Sequence, residues 1–328
     1  NNWAKVKIIQ QAVPDDLTEP LVVVDLGCSK GVDLKKWAHS KVKHVYLVDD
    51  DEEDMHECQR RFIEIDRRWP NKFKASFINK DFAYDDIKLP EKVDLVSCQF
   101  LVHRAFCSEE EATTFAKNVS RALKDGGNLI ISLVNADKIK KLLFKSPNRK
   151  TYSNGVFTVE LESPLSDNCP EFGIKMIFRV DDKFFPENLV QLKTLQRILK
   201  KENLELIWQR SFPELYEEAR GNEEQKTLLA TMGVVEDSRL LMSRPELETA
   251  DLYEAVMFKK LEAKEPVIST IKSVVTLEEP ESSSQTKVVQ TSTVVESGDV
   301  DVEMNNEELN EENGEYIEQE DTDHKMEE

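Results

Sequence analysis

Leu21-Val22-Val23-Val24-Asp25-Leu26-Gly27-Cys28-Ser29-Lys30-Gly31 is the stretch that decides the fold. Its first six residues form an apolar, largely β-branched run broken only by Asp25. Such a run fits a strand covered on both faces, as in a parallel sheet. The turn Asp25-x-Gly27-x-Ser29-x-Gly31 then lets the backbone pass close to a ligand at the carboxyl end of that strand, where open α/β sheets bind their ligands. The Gly-x-x-x-x-Gly-Lys-[Ser/Thr] spacing of a Walker loop is absent.

Outward from this turn the sequence alternates. Strands are expected over residues 44–48, 75–79, 93–98 and 128–133. Between them residues 53–66 read as an amphipathic helix. A second helix is expected from an N-cap at Ser108, with Glu109, Glu110 and Glu111 in its first turn, to Leu123. The rhythm predicts a mostly parallel sheet with helices on both faces. Residues 150–181 break it. Residues 156–161 and 175–180 read there as strands of an inserted β-rich lobe. Helix is expected again over 187–201, and strands over 204–209 and 252–258.

The 328 residues carry a formal charge of -20, unevenly placed. Residues 262–328 hold 20 acidic against 4 basic residues, and their one aromatic is Tyr316. That composition cannot bury enough apolar surface to offset the entropy of ordering, so an acidic, disordered tail is expected there, beyond a domain spanning 1–261. The five cysteines are odd in number and lack a Cys-x-x-Cys, which fits a reducing compartment without structural zinc. No run is long enough to predict a membrane span.

Several polar residues fall where chemistry belongs. Asp49 ends the second strand, about 20 positions past the glycine turn, where an acid commonly binds ribose hydroxyls. It opens the run Asp49-Asp50-Asp51-Glu52-Glu53-Asp54, which also suits a solvated loop. Asp81 ends the third strand; an adenine amino group and a loop cap suit it equally. His103 follows the fourth strand, with a structural and a functional role both open. Lys138, Lys140, Lys141, Lys145, Arg149 and Lys150 form a run without acids. It fits either a solvated helix face or a track for a phosphate backbone.

In order along the chain, these segments resemble the eukaryotic mRNA cap guanine-N7 methyltransferases. The motifs are Asn1-Asn2-Trp3-x-Lys5, then Asp25-Leu26-Gly27-Cys28-x-Lys30-Gly31-x-Asp33-Leu34-x-Lys36-Trp37, then Cys58-Gln59-x-Arg61-Phe62 and Ser97-Cys98-Gln99-Phe100-x-x-His103. Further on come Gly126-Gly127, Phe172-Gly173-x-Lys175-x-x-Phe178, Pro186-Glu187-x-Leu189-Val190, Phe212-x-Glu214-x-Tyr216-Glu217-Glu218 and Leu252-Tyr253. The resemblance implies a Rossmann-like class I S-adenosylmethionine-dependent fold, a nuclear location and capped mRNA as partner. It implies methyl transfer to N7 of the terminal guanosine. Lys5, Gly27, Asp49, Asp81 and Gln99 would meet the cofactor. Asn1, Asn2, Lys30, Lys36, Arg61, His103, Glu187 and Tyr253 would meet the cap. No general base is expected, because guanine N7 carries a free lone pair.

Five departures stand out. The family usually has glycine at Ser29 and Val32, tyrosine at Arg104 and at Met176, and apolar or small residues after Asp49. Two readings follow: an active divergent enzyme, or a non-catalytic relative that binds capped RNA or a protein partner through a weakened cofactor site.

Overall fold

A computed structural model describes residues 2–14, 16–180, 183–236 and 239–262. The acidic tail and Asn1 lie outside the described residues. In chain order the elements are α1 (Asn2–Ala12), β1 (Leu21–Leu26), α2 (Leu34–Ala38), β2 (Val42–Asp49), α3 (Glu52–Arg68), β3 (Lys74–Asn79) and β4 (Val93–Gln99), followed by a 3-10 turn (Val102–Phe106). Then come α4 (Glu109–Ala122), β5 (Leu123–Val134), α5 (Ala136–Lys145), β6 (Thr151–Ser153), β7 (Phe157–Leu161), β8 (Lys175–Val180) and β9 (Lys183–Asn188). The remainder is α6 (Leu192–Lys201), β10 (Leu204–Ser211), α7 (Phe212–Arg220), α8 (Glu223–Thr231), β11 (Val235–Glu236), β12 (Arg239–Leu240), α9 (Arg244–Asp251) and β13 (Tyr253–Lys260).

Seven strands form one sheet in the order β10-β13-β5-β4-β1-β2-β3. β1 pairs in parallel with β2 and β4, β2 with β3, and β4 with β5. β13 runs antiparallel to both of its neighbours. The order reverses at β1, so the loops after β1 and β4 open a crevice at the carboxyl edge of the sheet. This is the Rossmann-like class I architecture expected from the β1 stretch.

The apolar run of β1 divides between two layers. Val22, Val24 and Leu26 join a core with Phe115 and Ala116 of α4 and Leu195 and Ile198 of α6. Val23 joins the opposite core with Ile8 and Ile9 of α1, Trp37 of α2 and Cys58 of α3. Each fully buried Val, Leu or Ile contributes about 1.5–3 kcal/mol. Strand patterning without polar alternation is therefore the signature of a sheet covered on both faces.

The lobe differs from its expected form. It is a four-stranded antiparallel sheet, β6-β7-β8-β9, that runs on to Asn188 rather than stopping near 181. Residues 187 and 188 belong to β9, and helix α6 begins only at Leu192. Pro186 explains the correction. β9 is an edge strand, where a residue without an N–H is tolerated. Phe157, Val159, Leu161, Met176 and Phe178 turn one face of the lobe into the α1-side core.

Candidate active site

The acidic run after β2 resolves residue by residue. Asp49 is buried; its Oδ2 accepts the backbone N–H of Ser29 at 2.8 Å and its Oδ1 that of Asp51 at 3.1 Å. Burial raises its carboxyl above the usual range, and the two N–H groups pull it back. Asp50 turns to Arg104. Asp51 caps α3 by accepting the N–H of Asp54, and Glu52 and Glu53 occupy the first turn, where acids suit the helix dipole. Asp54 Oδ2 accepts Ser29 Oγ at 2.6 Å, and its Oδ1 lies 3.5 Å from Lys30 Nζ.

In the turn itself Gly27 and Gly31 both have φ +72. A Cβ on Gly27 would stand 2.1 Å from Leu101 Cδ1, and one on Gly31 2.8 Å from Cys58 Sγ. Both positions demand glycine. Ser29 has φ +45, the conformation that glycine would adopt at lower cost. Its hydrogen bonds to Asp49 and Asp54 offset that strain. Val32 is 52% exposed and does not share the left-handed backbone, so its side chain leaves the turn undisturbed.

Two helices deliver the cations expected near the ligands. Lys5 of α1 donates to Asp33 Oδ2 at 2.7 Å, and Lys36 of α2 lies 2.7 Å from Asp33 Oδ1. Lys36 also donates to Asn2 Oδ1 at 2.8 Å. Lys5 Nζ stands 5.5 Å above the Phe100 ring. Beneath this cluster Asp25 is buried and accepts Trp37 Nε1–H at 3.0 Å. Burial, with Asp33 nearby, raises its carboxyl well above the usual range. Gln99 is buried, its Oε1 accepting Ser132 Oγ at 2.8 Å and its Nε2 donating to Ser97 at 3.2 Å.

On the other side of β4, Phe100, Val102, His103, Glu187 and Asn188 line a small cleft. Burial pushes the Glu187 carboxyl up to about 7. Met176, its register partner on β8, is buried and offers no hydrogen bond to relieve that cost. Burial, then Arg104, lowers His103 to about 4, so its ring is neutral near pH 7. His103 Nδ1 is buried without a hydrogen-bond partner among the described residues. Tyr253 sits among the rings of Phe212, Phe100 and Phe178, at 5.5, 5.6 and 6.0 Å.

The remaining expected residues are more peripheral. Lys30 is exposed beside Asp54, and Arg61 donates to Glu57 at 2.7 Å. Asp81 Oδ1 accepts the N–H of Ala83 at 2.8 Å, a loop-capping contact, while Oδ2 faces Arg104. The basic run is partly neutralised by acids from elsewhere in the chain. Lys138 binds Asp251 at 2.7 Å and Arg149 binds Asp167 at 3.0 Å. Lys141 and Lys145 are exposed on α5.

Four contributors had no role in the sequence reading. Asp33 lay inside a quoted motif, but its role as shared anchor depends on α1 docking. Phe100 adopts φ +66, rare for a bulky residue, and so places its ring between Lys5 and Tyr253. Arg104 and Asp50 each read as a departure, and opposite charge was the only sign that they belong together.

Residues 1–261 match the family described as mRNA (guanine-N(7))-methyltransferase domain. The mRNA cap guanine-N(7) methyltransferase of Schizosaccharomyces pombe is 32% identical over 270 residues, which cover 79% of this chain and 74% of that protein. The protein of the same name from Caenorhabditis briggsae is 34% identical over 225 residues, covering 65% of this chain and 59% of its own length. The mRNA cap guanine-N(7) methyltransferase 1 of Oryza sativa subsp. japonica is 30% identical over 280 residues, covering 79% and 73%. The chain belongs to the mRNA (guanine-N7)-methyltransferase family.

Proposed function

We propose that the chain transfers a methyl group from S-adenosylmethionine to N7 of the terminal guanosine of capped mRNA. The observation that carries this reading is the half-buried Glu187 carboxylate, set in a cleft with His103 and linked through Phe100 to the cofactor end of the sheet. The donor set suits the cofactor. Each oxygen of Asp49 carries one N–H and keeps a lone pair for a ribose hydroxyl. Lys5 supplies a cation for a carboxylate. Gly27 brings the backbone close, and Gln99 lines the same edge. Asp81 stands at the adenine rim.

When bound, the cofactor supplies an activated methyl group on a sulfonium sulfur. The chain then has to bind and align. Glu187 in its charged form accepts from the N1 and N2 donors of guanine, which adenine does not offer. His103, being neutral, places no competing cation beside the sulfonium and no acidic proton beside N7. Tyr253 packs on or hydrogen-bonds the base. Asn1, Asn2, Lys30, Lys36 and Arg61 are assigned to the triphosphate, where cations neutralise charge. No residue need take a proton. Alignment of N7, methyl carbon and sulfur lowers the barrier by several kcal/mol, up to about 7–11 for an ideal arrangement. The exposed Lys141 and Lys145, with Lys140 and Lys150, supply a track for the RNA backbone. Action on capped transcripts places the protein in the nucleus. The domain ends near residue 261.

The test is methyl transfer from labelled S-adenosylmethionine to RNA bearing an unmethylated guanosine cap, with the product digested and the methyl position identified. Methyl on guanine N7 supports the reading. Absence of transfer by folded protein that still binds capped RNA overturns it in favour of a non-catalytic binder.

A further inference from the structure

Arg104 joins three loops at the carboxyl edge of the sheet. It lies on the 3-10 turn after β4. Its Nη1 and Nη2 donate to Asp50 Oδ1 and Oδ2, both at 2.6 Å, and Nη2 also donates to Asp81 Oδ2 at 2.7 Å. Asp50 is the first residue past β2, and Asp81 the second past β3. The guanidinium carbon stands 5.8 Å from the centre of the Phe82 ring. Arg104 and Asp81 are partly buried and Asp50 is exposed at the edge, so bulk water screens the Arg104–Asp81 pair incompletely.

Two departures from the family's usual residues therefore compensate one another. A carboxylate at position 50, beside the ribose-binding Asp49, adds repulsion at a crowded acidic edge; the neighbouring charge raises Asp49 and Arg104 lowers it. Bidentate Arg–carboxylate geometry fixes direction as well as distance. The fork points the Asp50 carboxylate at Arg104 and away from the slot beside Asp49. The same guanidinium holds Asp81 at the slot's far edge, and Ala83 N–H holds its other oxygen.

We infer that Arg104 is a positioning residue for the adenosine half of the cofactor: its fork clears Asp50 from the adenine slot and sets Asp81 at the rim. This rests on the reading of the site as an S-adenosylmethionine site. On this view Arg104 and Asp50 are tolerated only together. A charge lost at position 104 leaves two carboxylates unopposed around a neutral base, whereas loss of both charges leaves only Asp81, still held by the Ala83 N–H, at the rim of the slot.

The experiment is a calorimetric titration of S-adenosylhomocysteine into the full chain and into R104A, D50A and the R104A/D50A pair. Cap-analogue affinity and thermal midpoint are measured alongside. The expected result is at least a fivefold loss of affinity in R104A, recovered to within threefold of D50A in the double variant, with cap-analogue affinity changed less than twofold. A loss below fivefold in R104A overturns the inference. So does a loss that the second substitution fails to recover, or one matched by an equal loss of cap-analogue affinity, since a merely structural tie would loosen both ligands. If R104A fails to fold, R104Q/D50N replaces the pair, and affinity more than fivefold below that of D50N overturns the inference. If the unsubstituted chain does not bind S-adenosylhomocysteine, it is the underlying reading of the site that falls.

Discussion

The backbone N–H of Ser29 donates to Asp49 Oδ2 at 2.8 Å, across twenty residues of sequence. The carboxylate assigned to the ribose thus also clamps the glycine turn to the end of the neighbouring strand. Asp49→Ala removes both functions. A hydrogen bond to a charged group is worth about 1.5–3 kcal/mol, so affinity for S-adenosylhomocysteine should fall by about tenfold to a hundredfold. Calorimetry checks this; unchanged affinity would remove Asp49 from the ribose site.

Ser29 itself tests whether the strained turn is held or merely tolerated. Ser29→Gly relieves the left-handed φ but gives up the bond to Asp54, so its stability should stay within about 1 kcal/mol of the parent. Ser29→Ala keeps the strain and loses the bond, and should be destabilised by about 1 kcal/mol. Urea denaturation of the two variants gives the order.

Glu187 links acidity to cap recognition. Its folded value of about 7 lies above the ordinary 4.5, so the folded state holds the proton more tightly than the unfolded chain does. Stability is unaffected below the ordinary value. It falls as pH rises from 4.5 to 7 and is level above that. Cap affinity has the opposite slope, because only the charged form accepts both guanine donors. Binding of a cap analogue should weaken as pH drops through 7. Glu187→Gln should flatten that profile, bind the cap at least tenfold more weakly, and melt higher than the parent at pH 8. A cap-binding curve indifferent to pH between 6 and 8 would count against the assignment.

Asp25 depends on one indole. Trp37→Phe removes the N–H that favours its charged form, leaving a buried carboxyl short of a partner at a cost of about 1–3 kcal/mol. Because burial already raises Asp25, the loss should be larger at pH 8 than at pH 6. Denaturation at the two values reads the difference; equal losses would mean that only packing is involved.

Removal of residues 263–328 should leave methyl transfer within twofold at moderate salt, because the family match ends at residue 261. A change confined to low salt would instead point to long-range interaction between tail acids and the RNA track.

Much of this arrangement was legible before the fold was seen. The β1 run, interrupted only by Asp25, and its glycines pointed to a doubly covered parallel sheet, and spacing placed Asp49 at the end of β2. α1 was missed, because two of the buried residues on its i, i+4, i+8 stripe, Ala4 and Ala12, are small and give a weak apolar signal. The helix expected over 187–201 begins only at Leu192, because Glu187 and Asn188 belong to the edge strand β9. The pairing of Arg104 with Asp50 lies across 54 residues and two loops. No local pattern encodes such a contact, and two apparent defects became one feature only when the strands were laid side by side.

Asp33 deserves a last consequence. It is buried, and it lies 2.7 Å from both Lys5 and Lys36, the first assigned to the cofactor and the second to the cap. Two ammonium groups thus share a single counter-ion. With the lysines in those proposed roles, a ligand that draws one away would change how strongly the other is held, and the two substrates would not load independently. Thermodynamic reciprocity then requires each to alter the affinity of the other by the same factor.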